Sequence, residues 1–142
     1  MMMSEAKYAV RYCSKTGNTK KLAEQIAATL GCKAETVDHS IQSKADILFL
    51  GCSVYWGGID PAIKNFIQNL DAKYVKKIVV FSTSALAERA YPGIQRLLKE
   101  KEICVSEDNF YCRGEFKFLH KGKPDAQDLK DVSIFARKFL EE

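Results

Sequence analysis

The sequence predicts one α/β domain of three layers, a parallel sheet with helices on both faces. Three observations predict it. Strand-like and helix-like segments alternate along the whole chain, which is the pattern of a parallel sheet joined by helical crossovers. The run Ile47-Leu48-Phe49-Leu50-Gly51-Cys52 is continuously apolar, as a strand buried on both faces must be. The 142 residues, 46% of them hydrophobic, suit a single domain over residues 1–142 with one packed interior.

Lys7 to Cys13 alternates, with Tyr8, Val10 and Tyr12 on one face, and reads as the first strand. A helix over about Asn18 to Leu30 follows from Leu22, Ile26 and Leu30 with Ala23 and Ala27 beside them, and Gly31 is its stop signal. Lys33 to Val37 reads as a second strand. Asp38 to Asp46 is short and polar, enough for a loop or a single turn. After the apolar third strand, Asp60-Pro61 opens a helix, Asp as the cap and Pro in the first turn, with Ile63, Phe66, Ile67 and Leu70 as its stripe. Lys77 to Phe81 is the fourth strand and Ser82 to Tyr91 a polar loop or broken helix. Pro92 to Lys99 makes a short helix carrying Ile94, Leu97 and Leu98. Ile103 to Val105 and Phe110 to Cys112 form a fifth strand region interrupted at Ser106 to Asn109. Gly114 to Lys123 is a basic loop with Phe116, Phe118 and Leu119. Pro124-Asp125 opens the last helix, whose apolar face is Leu129, Val132, Phe135, Ala136, Phe139 and Leu140.

No apolar run is long enough to span a bilayer, and Met1-Met2-Met3-Ser4 lacks the basic-then-apolar pattern of a signal peptide. The five cysteines are odd in number and contain no CxxC, so reduced thiols and a cytoplasmic location are expected. His39 and His120 have no ligand-like spacing, and no metal site is expected. The net charge of +4 is spread over Lys20-Lys21, Lys73, Lys76-Lys77 and Lys117 to Lys123. No groove-reading motif accompanies it, so nucleic acid is not an expected partner.

The stretch Ser14-Lys15-Thr16-Gly17-Asn18-Thr19 joins the end of the first strand to the start of the first helix. A helix N-terminus carries unsatisfied N–H groups and a partial positive charge. Gly17 allows close backbone approach, and Ser14, Thr16, Asn18 and Thr19 add hydroxyl and amide donors. Those are the parts that hold a phosphate. The nucleoside-triphosphate pattern GxxxxGK[ST] is absent. The low-molecular-weight tyrosine phosphatases need an Arg six residues after the nucleophilic Cys. Position 19 is Thr, so Cys13 reads as a core residue at the strand end. The hexapeptide resembles the phosphate loop of the flavodoxins, Ser/Thr-x-Thr-Gly-x-Thr directly after the first strand, and matches it at Ser14, Thr16, Gly17 and Thr19.

That resemblance implies a flavodoxin-like three-layer sandwich, a five-stranded parallel sheet of order 2-1-3-4-5, binding flavin mononucleotide (FMN) at the switch point between strands one and three. It implies that the Thr16 and Thr19 hydroxyls face the phosphate. It further implies that Ser53-Val54-Tyr55-Trp56-Gly57-Gly58, the loop after the third strand, lies against the isoalloxazine, with Trp56 favoured over Tyr55 as the stacking ring. Exposed aromatic rings beside two glycines are costly to leave in water. A peptide at Gly57-Gly58 would turn over on reduction so that its carbonyl accepts from flavin N5–H. Thr83, Ser84 and Ala85, after the fourth strand, are implied to bring backbone N–H groups to the flavin O2 and N1 edge. The chain also resembles short flavodoxin-domain proteins with a Cys-Arg-Gly segment, here Cys112-Arg113-Gly114, which receives no role. The function implied is electron transfer between a reductase and an acceptor enzyme. Because flavodoxins are typically acidic, the basic balance here points to an acidic partner. The alternative is an FMN-dependent enzyme of the same fold, a quinone reductase or a protoporphyrinogen oxidase. The short chain leaves little room for a dedicated substrate subdomain, which favours the carrier.

Overall fold

The computed structural model describes residues 7–14, 17–41, 43–54, 59–84, 91–114 and 122–141. Among these residues six strands and four α-helices follow one another as β1 (Tyr8–Cys13), α1 (Asn18–Leu30), β2 (Ala34–Thr36), β3 (Ala45–Val54), α2 (Pro61–Gln68), β4 (Val75–Ser84), α3 (Tyr91–Glu100), β5 (Cys104–Val105), β6 (Phe110–Arg113) and α4 (Ala126–Arg137). All strand pairings are parallel and the order is β2-β1-β3-β4-β5, the expected 2-1-3-4-5. β6 also pairs with β4, beyond β5, so the two form one interrupted edge strand. Ser106 pins the interruption. Its N–H donates to the Ile78 carbonyl (2.8 Å), its hydroxyl accepts from Asp108 N–H (3.1 Å), and its carbonyl accepts from the Tyr91 hydroxyl (2.9 Å).

Strand alternation divides the interior in two. Val10, Tyr12, Ile47, Phe49, Val79 and Phe81 face α1 and α4, where Leu22, Ile26, Val132, Phe135 and Phe139 meet them. Phe139 sets its ring edge-on to Phe49 at 5.4 Å between centroids, a favourable aromatic geometry. Leu48, Leu50, Cys52, Ile78 and Val80 face the other way, against Ile63, Phe66 and Ile67 of α2 and Ile94 and Leu98 of α3. Cys13 packs against this second cluster, as a strand-end core residue should.

The helix signals act as the residue types require. Asp60 caps α2 by accepting from Ala62 N–H at 2.8 Å, with Pro61 in the first turn. Gly31 ends α1 in the left-handed conformation. α4 opens with a capping box, in which Asp125 accepts from Asp128 N–H (3.0 Å) and Asp128 from Asp125 N–H (2.9 Å). Lys123 Nζ lies 3.0 Å and 3.2 Å from the same two carboxylates.

Three differences from the sequence-based expectations have physical causes. β4 runs from Val75 to Ser84 rather than from Lys77 to Phe81, because β3 pairs with it as far as Ser84 and β6 takes its other side from Phe81 onward. Ser82 to Ser84 is therefore strand, and residues 85–90 lie outside the described residues. Ser53 and Val54 belong to β3 rather than to an exposed loop. Leu140 is 47% exposed, because the chain tightens into a 3-10 turn after Arg137 and the stripe of α4 ends at Phe139.

Candidate functional site

The parallel register brings the C-terminal ends of four strands side by side. Cys13 lies opposite Cys52, Ser53 opposite Thr83, Val54 opposite Ser84, Thr83 opposite Cys112, and Ser84 opposite Arg113. On the α1 face the side chains change along the strands. Phe49 and Val79 are apolar, Gly51 and Phe81 form the next layer, and Ser53 and Thr83 end it in hydroxyls. Gly51 is required there: a Cβ would come within 2.2 Å of the Phe81 ring.

Ser14 follows β1 and Gly17 precedes α1 at this end of the sheet. Gly17 has φ 89°, a left-handed conformation open to glycine, and its N–H donates to Ser14 Oγ at 3.0 Å. That bond uses a lone pair of Ser14, not its proton. α1 begins on a residue with no capping side chain and has no acidic residue in its first turn; Lys20 and Lys21 stand there, exposed. Such a start leaves the positive end of the helix dipole uncompensated and suits an anion bound at the helix N-terminus. Asn18 and Thr19 are buried behind the loop, at 6% and 0% exposure.

Thr19 ties the loop to the sheet. Its hydroxyl lies 2.7 Å from Ser53 Oγ and 2.9 Å from Thr83 Oγ1, while the Ser53–Thr83 separation is 3.4 Å. Residues expected on three separate loops, Thr19, Ser53 and Thr83, are thus in direct contact. The described bonds of the Thr19 hydroxyl run to the strand ends, whereas the sequence pattern points that hydroxyl at a phosphate. Ser14, Gly17, Asn18, Val54 and Ser84 lie at the same end of the sheet. Lys15, Thr16, Tyr55, Trp56, Gly57, Gly58 and Ala85 lie outside the described residues.

Gly114 joins the site, a role that sequence alone did not assign. It is buried after β6, and a Cβ there would come within 2.7 Å of Asn18 Nδ2. Glycine lets the end of β6 approach the start of α1 directly. The signal in the sequence is a glycine immediately after a Cys-Arg strand end, which marks close backbone approach. Arg113, one residue earlier, holds its guanidinium 5.7 Å from the centre of the Tyr111 ring.

The thiols near the site are poor nucleophiles. Burial, reinforced by Cys13 and Asp60, pushes the Cys52 thiol up to about 12. Burial, with Asp128 the largest charge contribution, does the same to Cys112. A thiol held protonated neither attacks nor ligates. All five cysteines are free. Among the described residues no helix is long and apolar enough to cross a membrane.

The donor set fits a phosphate-bearing cofactor. A left-handed glycine opens the helix, the Ser14 hydroxyl lies beside it, and lysines rather than acids follow. Ser14, Gly17 and Asn18 would hold the phosphate, and the ends of β3 and β4 would carry the ring loops.

The flavodoxin domain family model matches residues 9–127. The flavodoxin-like domain-containing protein BilS of Clostridioides difficile (strain CD3) is 32% identical, over 94% of this chain and 96% of its own. Among solved structures, an archaeal flavodoxin superposes with a TM-score of 0.79 at 18% identity, over 95% of this chain and 96% of that one. Oxidised flavodoxin 2 from Bacillus cereus gives 0.71 at 21% identity, over 96% and 99%. The rubredoxin oxygen:oxidoreductase of Desulfovibrio gigas contains the same fold in 36% of its length, with a TM-score of 0.73 at 15% identity over 96% of this chain. These structural likenesses establish the fold. With the family model matched over residues 9–127 and a relative 32% identical over nearly its whole length, the chain belongs to the flavodoxin family.

Proposed function

We propose that the protein binds FMN at the C-terminal end of its sheet and carries electrons between a reductase and an acceptor enzyme. One observation carries this reading: the start of α1, the end of β3 and the end of β4 are joined at Thr19, Ser53 and Thr83. Family membership implies a flavin, and the phosphate-type loop selects FMN among flavins. When bound, the flavin supplies the redox chemistry. The chain's own residues hold and orient it. Ser14, Thr16, Gly17 and Asn18 bind the phosphate, the lysines of the first turn favour its charge, and Trp56 or Tyr55 covers the ring. Backbone groups of Thr83, Ser84 and Ala85 address its polar edge. The partners are protein surfaces, and the net charge of +4 favours acidic ones. Five free thiols suit a reducing compartment such as the cytoplasm.

A visible spectrum after adding FMN tests the first half: flavin bands retained at about one per chain support it, and none retained refutes it. Steady-state turnover tests the second half. The carrier oxidises NADH or NADPH slowly when alone and accepts electrons readily from a reductase, more slowly as salt screens the encounter. Rapid NAD(P)H–quinone turnover by the isolated protein, or efficient oxidation of protoporphyrinogen, would replace the carrier by the corresponding enzyme.

A further inference from the structure

We propose that the groove between α2 and α3 seats the acidic partner, by taking a segment of that protein in which carboxylates flank an apolar side chain. Its purpose rests on the carrier reading above; the groove itself stands on described residues. It is an open cleft of about 460 Å³. Ile59 and Leu97, half-buried against the core, form its apolar part with Pro92. Lys64 lines it from α2 and Arg96 from α3. The spacing of the two helices is fixed at both ends. A Cβ on Gly93 would come within 2.4 Å of Ile59 Cδ1, and Lys101 Nζ donates to the Gln68 carbonyl at 2.9 Å. The cleft is therefore preformed. Lys73, Lys76 and Lys123 pair with Asp71, Asp46 and Asp125. Exposed Lys64 and Arg96 have no such carboxylate among the described residues. Glu100, the acid of the lining, is the last residue of α3, one turn beyond Arg96 and about 6 Å further along the axis. Crossover helices start where their strands end, so the cations stand toward the site and the acid away from it. Two unneutralised cations on facing walls repel. A carboxylate between them relieves that, while the apolar part stabilises a side chain leaving water. A basic segment would meet both cations without compensation.

The probe is the peptide acetyl-Glu-Leu-Glu-Glu-Leu-Glu-amide, with its lysine counterpart as the comparison, titrated into isotope-labelled, flavin-free protein at low salt. The acidic peptide is expected to shift the NMR amide signals of Ile59, Lys64, Gly93, Arg96 and Leu97 to saturation, and the basic one to leave them in place. Lys64→Glu with Arg96→Glu should weaken the acidic peptide by about tenfold. Lys130→Glu with Arg137→Glu makes the same charge change on exposed residues of α4, across the sheet, and should weaken it by less than about twofold. Saturating shifts elsewhere, no saturating shift, or equal losses in the two double variants would overturn the proposal. If the reversal disturbs folding, Lys64→Gln with Arg96→Gln is read in the same way. With FMN bound, a reduced acidic ferredoxin is the electron donor: one electron leaves its iron–sulfur cluster and one enters the flavin. The second-order rate at low salt should fall about tenfold in the Lys64–Arg96 variant and lose most of its salt dependence; an unchanged rate overturns the docking role. Should the wild-type protein take up no FMN, the carrier reading fails while the peptide titration still decides what the groove binds.

Discussion

Gly51→Ala adds one methyl group to the middle of the sheet, and the structure supplies the size of the conflict. The new Cβ would lie 2.2 Å from Cε2 and 2.3 Å from Cζ of Phe81, where ordinary contact begins near 3.4 Å. The ring must retreat by about an ångström, and Phe81 is fully buried. Overpacking of this kind costs about 1–3 kcal/mol, against which the reduced chain entropy of alanine returns about 0.5–1. The net expectation is a loss of about 1–2 kcal/mol, or a urea midpoint lower by roughly 0.5–1 M. Urea unfolding of the flavin-free protein, followed by circular dichroism, measures it. Phe81→Leu alone should lose about 1–2 kcal/mol of burial. In the Phe81→Leu background Gly51→Ala should then cost less, because the two ring atoms it strikes hardest, Cε2 and Cζ, are gone. A fully additive double mutant, or Gly51→Ala as stable as wild type, would refute the argument that this glycine exists to admit the Phe81 ring.

Gly114→Ala pushes on Asn18 across 2.7 Å and should weaken FMN by about tenfold, the scale of one misplaced contact to a charged group, in a fluorescence titration. Trp56→Ala should brighten bound FMN, because a stacked indole quenches the flavin, and weaken it by about 1–2 kcal/mol; unchanged emission at full occupancy would move the stacking role to Tyr55. In a timed alkylation read by mass spectrometry, exposed Cys104 should react before Cys52 and Cys112. The latter two thiols stay protonated to about 12 when folded, against about 8.5 in an unfolded chain. Their contribution to stability is therefore complete below pH ~8.5 and declines as pH rises toward 12, which thermal melts across that range would show.

The fold was legible where the chemistry is local. Asp60-Pro61 and Gly31 mark helix ends through their own backbone preferences, and the apolar run from Ile47 can only be an interior strand. What could not be read depends on partners distant in sequence. Ser82, Thr83 and Ser84 look like a loop because they are polar. They are strand because neighbours on both sides supply hydrogen bonds, and Thr83 sits where the core gives way to the site. The direction of the Thr19 hydroxyl is fixed by Ser53 and Thr83, 34 and 64 residues away. The Ser14-to-Thr19 pattern is visible in the sequence, but the contacts of the Thr19 hydroxyl with the strand ends are not, because spacing carries no information on them. Gly51 and Gly114 were both present as unexplained glycines, each answering to a side chain in another element.

The sheet is deep in the middle and shallow at its margins. β3 and β4 have ten residues each, whereas β2 has three, β5 two and β6 four. An open sheet edge is a template on which another chain can add a strand, and a long flat one invites aggregation. Among the described residues both margins are short strands. The pinned break at Ser106 divides what would otherwise be a continuous edge. The taper therefore shortens the template at each edge, and filling the break with a continuous strand would lengthen it again.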